Sequence, residues 1–223
     1  MQLTNNEKIT ICWISESLLF AAFLAHNYSY DTAITYLTVY GIEKALSFDN
    51  LLMFYVIFKY FNLSERLQQR ALTIGLISSF ILRAALIFPC SLALNKFSWL
   101  NYLFAAFIAY SGVMLFKGSQ DDEREPKKLI AFIKQHWPKL SILGLAIGVI
   151  EITDLMFALD SIPASFLITN NPLIIYSANI FAILGLRSMY FSIAKLINKF
   201  AWMEKLIASI LIFIGLRGLL WVS

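Results

Sequence analysis

The sequence predicts an all-α, polytopic membrane protein with about seven transmembrane helices, on three observations. Of its 223 residues, 59% are hydrophobic and only 14% are charged, which is far more apolar than a soluble domain. The apolar residues form runs of 17 or more, and a helix of that length, rising ~1.5 Å per residue, begins to span a hydrocarbon core of roughly 30 Å. The third observation is an internal repeat of three spans.

Seven apolar segments are the candidate spans. They cover residues 9–25, 33–59, 70–94, 98–117, 140–168, 172–195 and 201–222. The first is barely long enough, and a cleaved signal peptide is its alternative interpretation. The amino terminus and the second, fourth and sixth loops hold nearly all Lys and Arg residues near span ends, whereas the opposite loops hold essentially Lys96 alone. The positive-inside rule therefore places the amino terminus in the cytoplasm and the carboxyl terminus outside.

The chain divides into a first span and loop (1–32), a first repeat (33–117), a cytoplasmic loop (118–139) and a second repeat (140–223), all within one transmembrane domain (1–223). The loop is polar and of mixed charge, so we expect a solvated linker. A regulatory metal sensor is the alternative, formed by the acids Asp121, Asp122, Glu123 and Glu125. The cysteines, Cys12 and Cys90, are expected near opposite membrane faces and predict no disulfide or zinc site.

The repeat is carried by one motif, an acid, five residues, a second acid and a small polar residue. It occurs in the second span as Glu43, Asp49 and Asn50, and in the fifth span as Asp154, Asp160 and Ser161. An arginine and a glycine follow at similar distances in each unit, namely Arg83 with Gly112 and Arg187 with Gly215. Because each unit has an odd number of spans, the second must enter the membrane from the opposite side. The pattern predicts a 3+3 inverted repeat with its site near the midplane.

Carboxylates within these spans indicate an ion pathway, since each costs at least roughly 2.5–3.5 kcal/mol to insert at the bilayer centre. The candidate metal ligands share oxygen donors and are Glu43, Asp49, Asn50, Glu151, Asp154, Asp160 and Ser161, with Ser47 as a further candidate. Oxygen-only ligand sets suit Mg²⁺, Ca²⁺ and Mn²⁺. On a regular helix Asp49 and Asp160 lie about 120° away from the acids six residues earlier, so either each acid serves a different neighbour or the helix is broken there. Pro163 supports a break beside Asp160, because proline cannot donate to the carbonyl of Leu159.

Basic residues within the spans are candidate counter-ions. Lys44, Arg83 and Arg187 are expected to hold the carboxylates together, and snorkelling or helix packing is the alternative for them. Glu16 lies outside the repeat and is either a structural acid or an accessory site. Asn179 either completes the polar cavity or makes an interhelical hydrogen bond.

Three sequence blocks carry a resemblance to a known family. Residues 42–50 (IEKALSFDN), 151–164 (EITDLMFALDSIPA) and 179–191 (NIFAILGLRSMYF) are similar to the signatures of the TerC/Alx family, and the resemblance runs from about Thr10 to Trp221. It implies an integral membrane manganese exporter. It also implies that the acids needed for transport fall on Glu43, Asp49, Glu151, Asp154 and Asp160. Relative to longer Alx-type members, this chain is expected to begin one span later and end one span earlier.

The resulting hypothesis is efflux of a divalent cation, with Mn²⁺ as the leading candidate, by alternating access of one repeat against the other. Clustered carboxylates repel each other, so at least one should hold a proton in the empty site. An entering metal ion would displace that proton, and proton antiport is therefore the expected coupling. Alternatives are a Ca²⁺ or general cation exchanger and a membrane scaffold that delivers metal to exported proteins. A protease dyad of Asp49 and Asp160, or a retinal Schiff base on Lys44, is disfavoured because the surrounding motifs are missing. We expect no enzyme activity, no tightly bound cofactor and no nucleic-acid partner. A bacterial inner membrane is the expected location, and a homo-oligomer is the candidate assembly.

Overall fold

The computed structural model describes residues 4–117, 124–136, 139–193 and 202–221. Its helices are α1 (Asn5–Asn27), α2 (Tyr30–Tyr60), α3 (Glu65–Lys96), α4 (Leu100–Lys117), α5 (Arg124–His136), α6 (Ile142–Phe166), α7 (Pro172–Leu184), α8 (Leu186–Ile193) and α9 (Trp202–Trp221). No strand occurs in these ranges, which confirms the prediction of an all-α chain for the part described.

Five stretches of the described chain are long and apolar enough to cross a membrane. They are α1, α3, α4, α6 and residues 172–192, a stretch that comprises α7 and nearly all of α8. The helices α2 and α9, of 31 and 20 residues, also coincide with predicted spans but carry more charge. The prediction of a multi-pass membrane protein is therefore confirmed, and the full set of seven spans stays a prediction.

Polar residues at the helix starts determine where several spans begin. Thr4 and Glu7 form a capping box at α1, in which each side chain accepts a hydrogen bond from the other residue's backbone N–H. Ser141 Oγ accepts from the Gly144 N–H at 3.1 Å at the start of α6. Asn171 caps α7, whose first residue is a proline. These caps satisfy backbone N–H groups that a helix end leaves without partners.

Two pairs of helices in close contact run antiparallel. The most extensive contacts are those of α4 with α9, α2 with α7, α3 with α6 and α2 with α6. Between α4 and α9, Gly112 faces Ile212 and Gly215 faces Ala109, so the two helices run antiparallel. The helices α2 and α6 also run antiparallel, since Glu43 contacts Ser165 while Asn50 contacts Asp154.

The loop predicted as a solvated linker contains the helix α5. Its residues Ile130 and Ile133 are buried, and Ile133 packs beside Gly148 of α6. Apolar residues three apart in a polar segment give a helix one apolar face, which is sufficient to dock it on a neighbouring helix. The acids of the alternative metal sensor, Asp121, Asp122 and Glu123 with the Glu125 side chain, lie outside the described residues.

The helix break lies in the sixth predicted span, and the break predicted at Pro163 is wrong. The helix α6 continues through Pro163 to Phe166, and the Leu167 N–H donates to the Pro163 carbonyl. Three residues follow the proline within the helix, so its missing N–H perturbs only the carboxyl-terminal turns. The break occurs instead at Gly185, between α7 and α8.

Candidate cation site

A buried polar cluster lies where α2, α3, α6 and α7 meet. Its eight side chains, which we call the central cluster, are all at most 5% exposed. They are Glu43, Asn50, Ser79, Arg83, Asp154, Ser161, Ser165 and Asn179. Such a group of polar side chains in the interior of a membrane protein is costly unless its members hydrogen-bond one another.

Arg83 joins the two carboxylates of the central cluster. Its Nη1 lies 3.0 Å from Glu43 Oε2, and its Nη2 lies 3.6 Å from Asp154 Oδ1. The guanidinium also donates to Asn179 Oδ1, and Ser161 Oγ lies 3.5 Å from Nη1. With both acids ionised the three charged groups carry a net charge of about −1, because one cation faces two anions.

Neutral donors complete the coordination of each carboxylate. Glu43 Oε1 accepts from Ser165 Oγ at 3.0 Å and from Asn179 Nδ2 at 2.9 Å. Asp154 accepts from Ser79 Oγ at 2.7 Å and from Asn50 Nδ2 at 3.2 Å. Both acids thus receive hydrogen bonds from helices other than their own.

Helical spacing explains why these residues converge. Asn50 follows Glu43 by seven residues, as Ser161 follows Asp154, and seven steps bring a helix back to nearly the same face. Ser79 and Arg83 are likewise neighbours on α3, four residues apart. In both motifs the first acid and the final small polar residue therefore point into the cluster.

Glu151 and Asp160, two further predicted acids, make their hydrogen bonds outside the central cluster. Glu151 Oε1 accepts a hydrogen bond from Ser78 of α3, and Asp160 Oδ1 accepts one from Ser111 of α4 at 3.1 Å. The backbone of Asp49 lies in α2, but its side chain is outside the described part of the structure. Among the described side chains, no three Asp, Glu, His or Cys residues lie close enough together to hold a metal ion.

The three predicted counter-ions have different surroundings. Arg83 is paired with carboxylates, whereas Lys44 Nζ donates to the Ala182 carbonyl at 3.1 Å. In an unbroken helix that carbonyl would accept from residue 186, so Lys44 caps the end of α7 created by the break at Gly185. Arg187 is exposed, and no ion pair to it occurs within the described residues. Glu16 is exposed on α1.

Sequence reasoning missed four serines that contact the acids. These are Ser78, Ser79, Ser111 and Ser165. Two of them carried a usable signal, since Ser79 lies one turn before Arg83 and Ser165 lies eleven residues, about three turns, after Asp154. The partners of Glu151 and Asp160 depend on how α6 packs against α3 and α4, which no local spacing indicates.

Three polar atoms in and near the site have no hydrogen-bond partner in the described structure. They are the acceptors Asn50 Oδ1 and Glu151 Oε2 and the donor Arg83 Nε. Buried polar groups are nearly always paired, so each of these calls for a physical reason. Asn50 Oδ1 is the most informative, because its residue is fully buried and its amide nitrogen already binds Asp154.

Comparisons with known proteins identify integral membrane proteins as relatives of this chain. The model of the integral membrane protein TerC family matches residues 28–221. A protein of Rickettsia bellii, named an uncharacterized membrane protein, is 36% identical over 227 residues, covering 93% of this chain and 75% of the relative. A membrane protein of Myxococcus xanthus, STKORF319, is 35% identical over 224 residues, covering 92% and 70%.

A third relative has a name that states an activity. This Escherichia coli K12 protein, whose name proposes a membrane-bound redox modulator, Alx, is 32% identical over 238 residues, covering 95% of this chain and 74% of the relative. No solved structure matches the chain significantly.

Proposed function

Because this chain belongs to the TerC family of integral membrane proteins, we propose that it is a secondary transporter that exports divalent metal cations, with Mn²⁺ as the first candidate. The observation that carries the proposal is the meeting of Glu43 and Asp154, from equivalent positions of the two sequence motifs, in one buried cluster of oxygen donors. Intramembrane carboxylates that face a bundle interior commonly mark ion pathways.

The inverted repeat is part of the proposal and has three supports. Equivalent helices run antiparallel, as α2 does to α6 and α4 to α9. The contact of α2 with α7 has its counterpart in that of α6 with α3. At the interface of α4 and α9, the buried positions Ala105, Ile108 and Gly112 align with the buried positions Ala208, Leu211 and Gly215 at a constant offset. An inverted repeat with its site at the contact of the two units is a common transporter architecture.

The ligand chemistry favours a hard divalent cation. Carboxylates, side-chain amides and hydroxyls surround the centre, and such donors suit Mg²⁺, Ca²⁺ or Mn²⁺. Glu151 lies one turn before Asp154 on α6, and Asp160 lies beyond it toward α4. We propose that alternating access brings further acids, including Asp49, to the ion as it passes along α2 and α6, with protons moving the opposite way.

The proposed setting is a bacterial inner membrane, with the amino terminus in the cytoplasm and the carboxyl terminus outside. The distribution of Lys and Arg supports this orientation. It places α5 on the cytoplasmic side, where its exposed residues, including Lys134 and His136, face solvent or lipid headgroups.

The test is manganese accumulation in cells that lack their own manganese exporters. We expect the parent protein to lower cellular Mn²⁺, and Glu43→Gln and Asp154→Asn to leave it near the level of cells without the protein. The matched control is Asp31→Asn, which removes an exposed carboxylate at the start of α2, away from the central cluster. All variants are compared at equal membrane abundance.

The outcomes separate the alternatives. Unchanged Mn²⁺ with well-expressed parent protein overturns manganese export. Inhibition of Mn²⁺ flux by excess Ca²⁺ identifies a general cation exchanger, and Mn²⁺ flux that ignores a proton gradient removes the antiport coupling. A scaffold that delivers metal to exported proteins predicts partners in a pull-down and no flux by the purified protein.

A further inference from the structure

We propose that Arg83 is a built-in counter-cation that the transported metal displaces, and that its return to Glu43 and Asp154 allows the unloaded protein to change sides. This inference rests on the proposed transport function. It assigns to one residue the step that distinguishes net export from simple exchange.

Arg83 holds the position that a bridging cation would need. Its two terminal nitrogens reach Glu43 Oε2 at 3.0 Å and Asp154 Oδ1 at 3.6 Å, from a side chain buried among four helices. A divalent ion that binds between these oxygens must move the guanidinium away, because two positive charges this close repel strongly in a medium of low dielectric constant. Metal and Arg83 are therefore competing ligands of the same two carboxylates.

The surroundings of Arg83 suit a movable group. Its Nε has no partner in the described structure, so the guanidinium is not fixed on every side. It already donates to the neutral oxygen of Asn179, which can keep one of its hydrogen bonds after the carboxylates are taken. The amide oxygen of Asn50, beside Asp154, also has no partner among the described residues and is available to an incoming cation.

The net charge of the central cluster determines what the competition between metal and Arg83 does to transport. With Arg83 in place the cluster carries about one net negative charge, and without it the two ionised acids carry about two. Uncompensated buried charges oppose passage through the occluded state that alternating access requires. With both acids ionised, a protein without the arginine charge should then change sides only when metal is bound.

Two transport assays on purified protein in liposomes test this directly. Net efflux is measured from vesicles loaded with radioactive Mn²⁺ into metal-free buffer, with a protonophore present so that charge build-up is not limiting. Exchange is measured from the same vesicles into buffer with excess unlabelled Mn²⁺. Exchange never requires the unloaded protein to change sides, whereas net efflux does.

We expect Arg83→Gln to lower net efflux at least tenfold while exchange stays within about threefold of the parent. Arg83→Lys, which keeps a tethered cation, should restore net efflux to within about threefold. The matched control is Arg217→Gln, which removes an exposed arginine of α9 and should leave both modes unchanged. Equal loss of both modes in folded Arg83→Gln, or full net efflux by it, overturns the inference.

A second comparison covers the case in which Arg83→Gln does not fold. The variants Glu43→Gln and Glu43→Gln/Arg83→Gln each remove one carboxylate, and only the second also removes the competing cation. We expect the double variant to bind Mn²⁺ at least tenfold more tightly than the single one by equilibrium dialysis, and equal affinities would overturn the competition. Absence of any flux by the parent protein would instead refute the proposed transport function.

Discussion

The substitution Gly215→Ala tests the close contact between α4 and α9. A Cβ at this position would lie 2.5 Å from the backbone nitrogen of Ala109 and 2.7 Å from its Cα. Ordinary contacts begin at about 3.4 Å, so α9 would have to recede from α4 by about 0.9 Å. Because the opposing atoms are backbone, no side-chain rotation can relieve the overlap. Overpacking of this kind typically costs about 1–3 kcal/mol.

The assay is thermal unfolding of the purified protein in detergent. For a chain of this size about 2–4 °C of melting temperature corresponds to each kcal/mol, so Gly215→Ala should lower the melting temperature by several degrees. Gly112→Ala should behave alike, since its Cβ would lie 2.8 Å from the Ile212 nitrogen. The control is Gly41→Ala on α2, where nothing lies within 4 Å of the added Cβ. A Gly215→Ala protein as stable as Gly41→Ala would refute the close packing of α4 on α9.

Two further predictions concern α7 and α5. Lys44→Met removes the ammonium group that donates to the Ala182 carbonyl; we expect a loss of about 1–2 kcal/mol, measured as a lower melting temperature, whereas Lys59→Met at the exposed end of α2 should change little. Equal effects of the two would contradict the capping role. Ile133→Asp places a charge at a position that is 2% exposed and should cost about 3 kcal/mol or more, while its neighbour Phe132, 52% exposed, should tolerate Phe132→Asp with a loss below about 1 kcal/mol. If both substitutions destabilise the protein alike, α5 does not dock on α6 through Ile133.

Hydropathy predicted the fold better than it predicted helix continuity. Each predicted span coincides with a helix or, at 172–195, with the pair α7 and α8, because apolar length is a direct requirement of the bilayer. The break at Gly185 was not predictable from local rules. The Lys44 side chain approaches within 2.7 Å of where a Gly185 Cβ would stand, so the surroundings of the break include a residue more than a hundred positions away in the chain. The proline at 163, a strong local signal, produced no break.

The candidate site was predictable in its residue types and only partly in its grouping. The spacing of six residues indicated either that the two acids of each motif serve different neighbours or that the helix is broken between them. The helix is regular, so the residue after each second acid lies on the inward face: Asn50 and Ser161 join the central cluster while Asp160 turns toward Ser111. A seven-residue period, applied to the same motif, would have given the observed grouping. The serines from α3 and α4 required knowledge of the helix packing.

Stability alone is a poor explanation for the central cluster. Replacing a buried ion pair by apolar side chains of similar volume is often neutral or stabilising. The contribution of the pair of Glu43 and Arg83 to the free energy of folding therefore does not explain its presence. The network is also incomplete, since Asn50 Oδ1 and Arg83 Nε are buried without partners in the described structure, and each such atom costs about 1–3 kcal/mol. A structural core would be expected to fill these positions or to do without them. An acceptor beside Asp154 and a guanidinium whose Nε lacks a partner in the described structure are instead what a site needs if its ligand supplies the missing contacts and its own cation must leave when that ligand arrives.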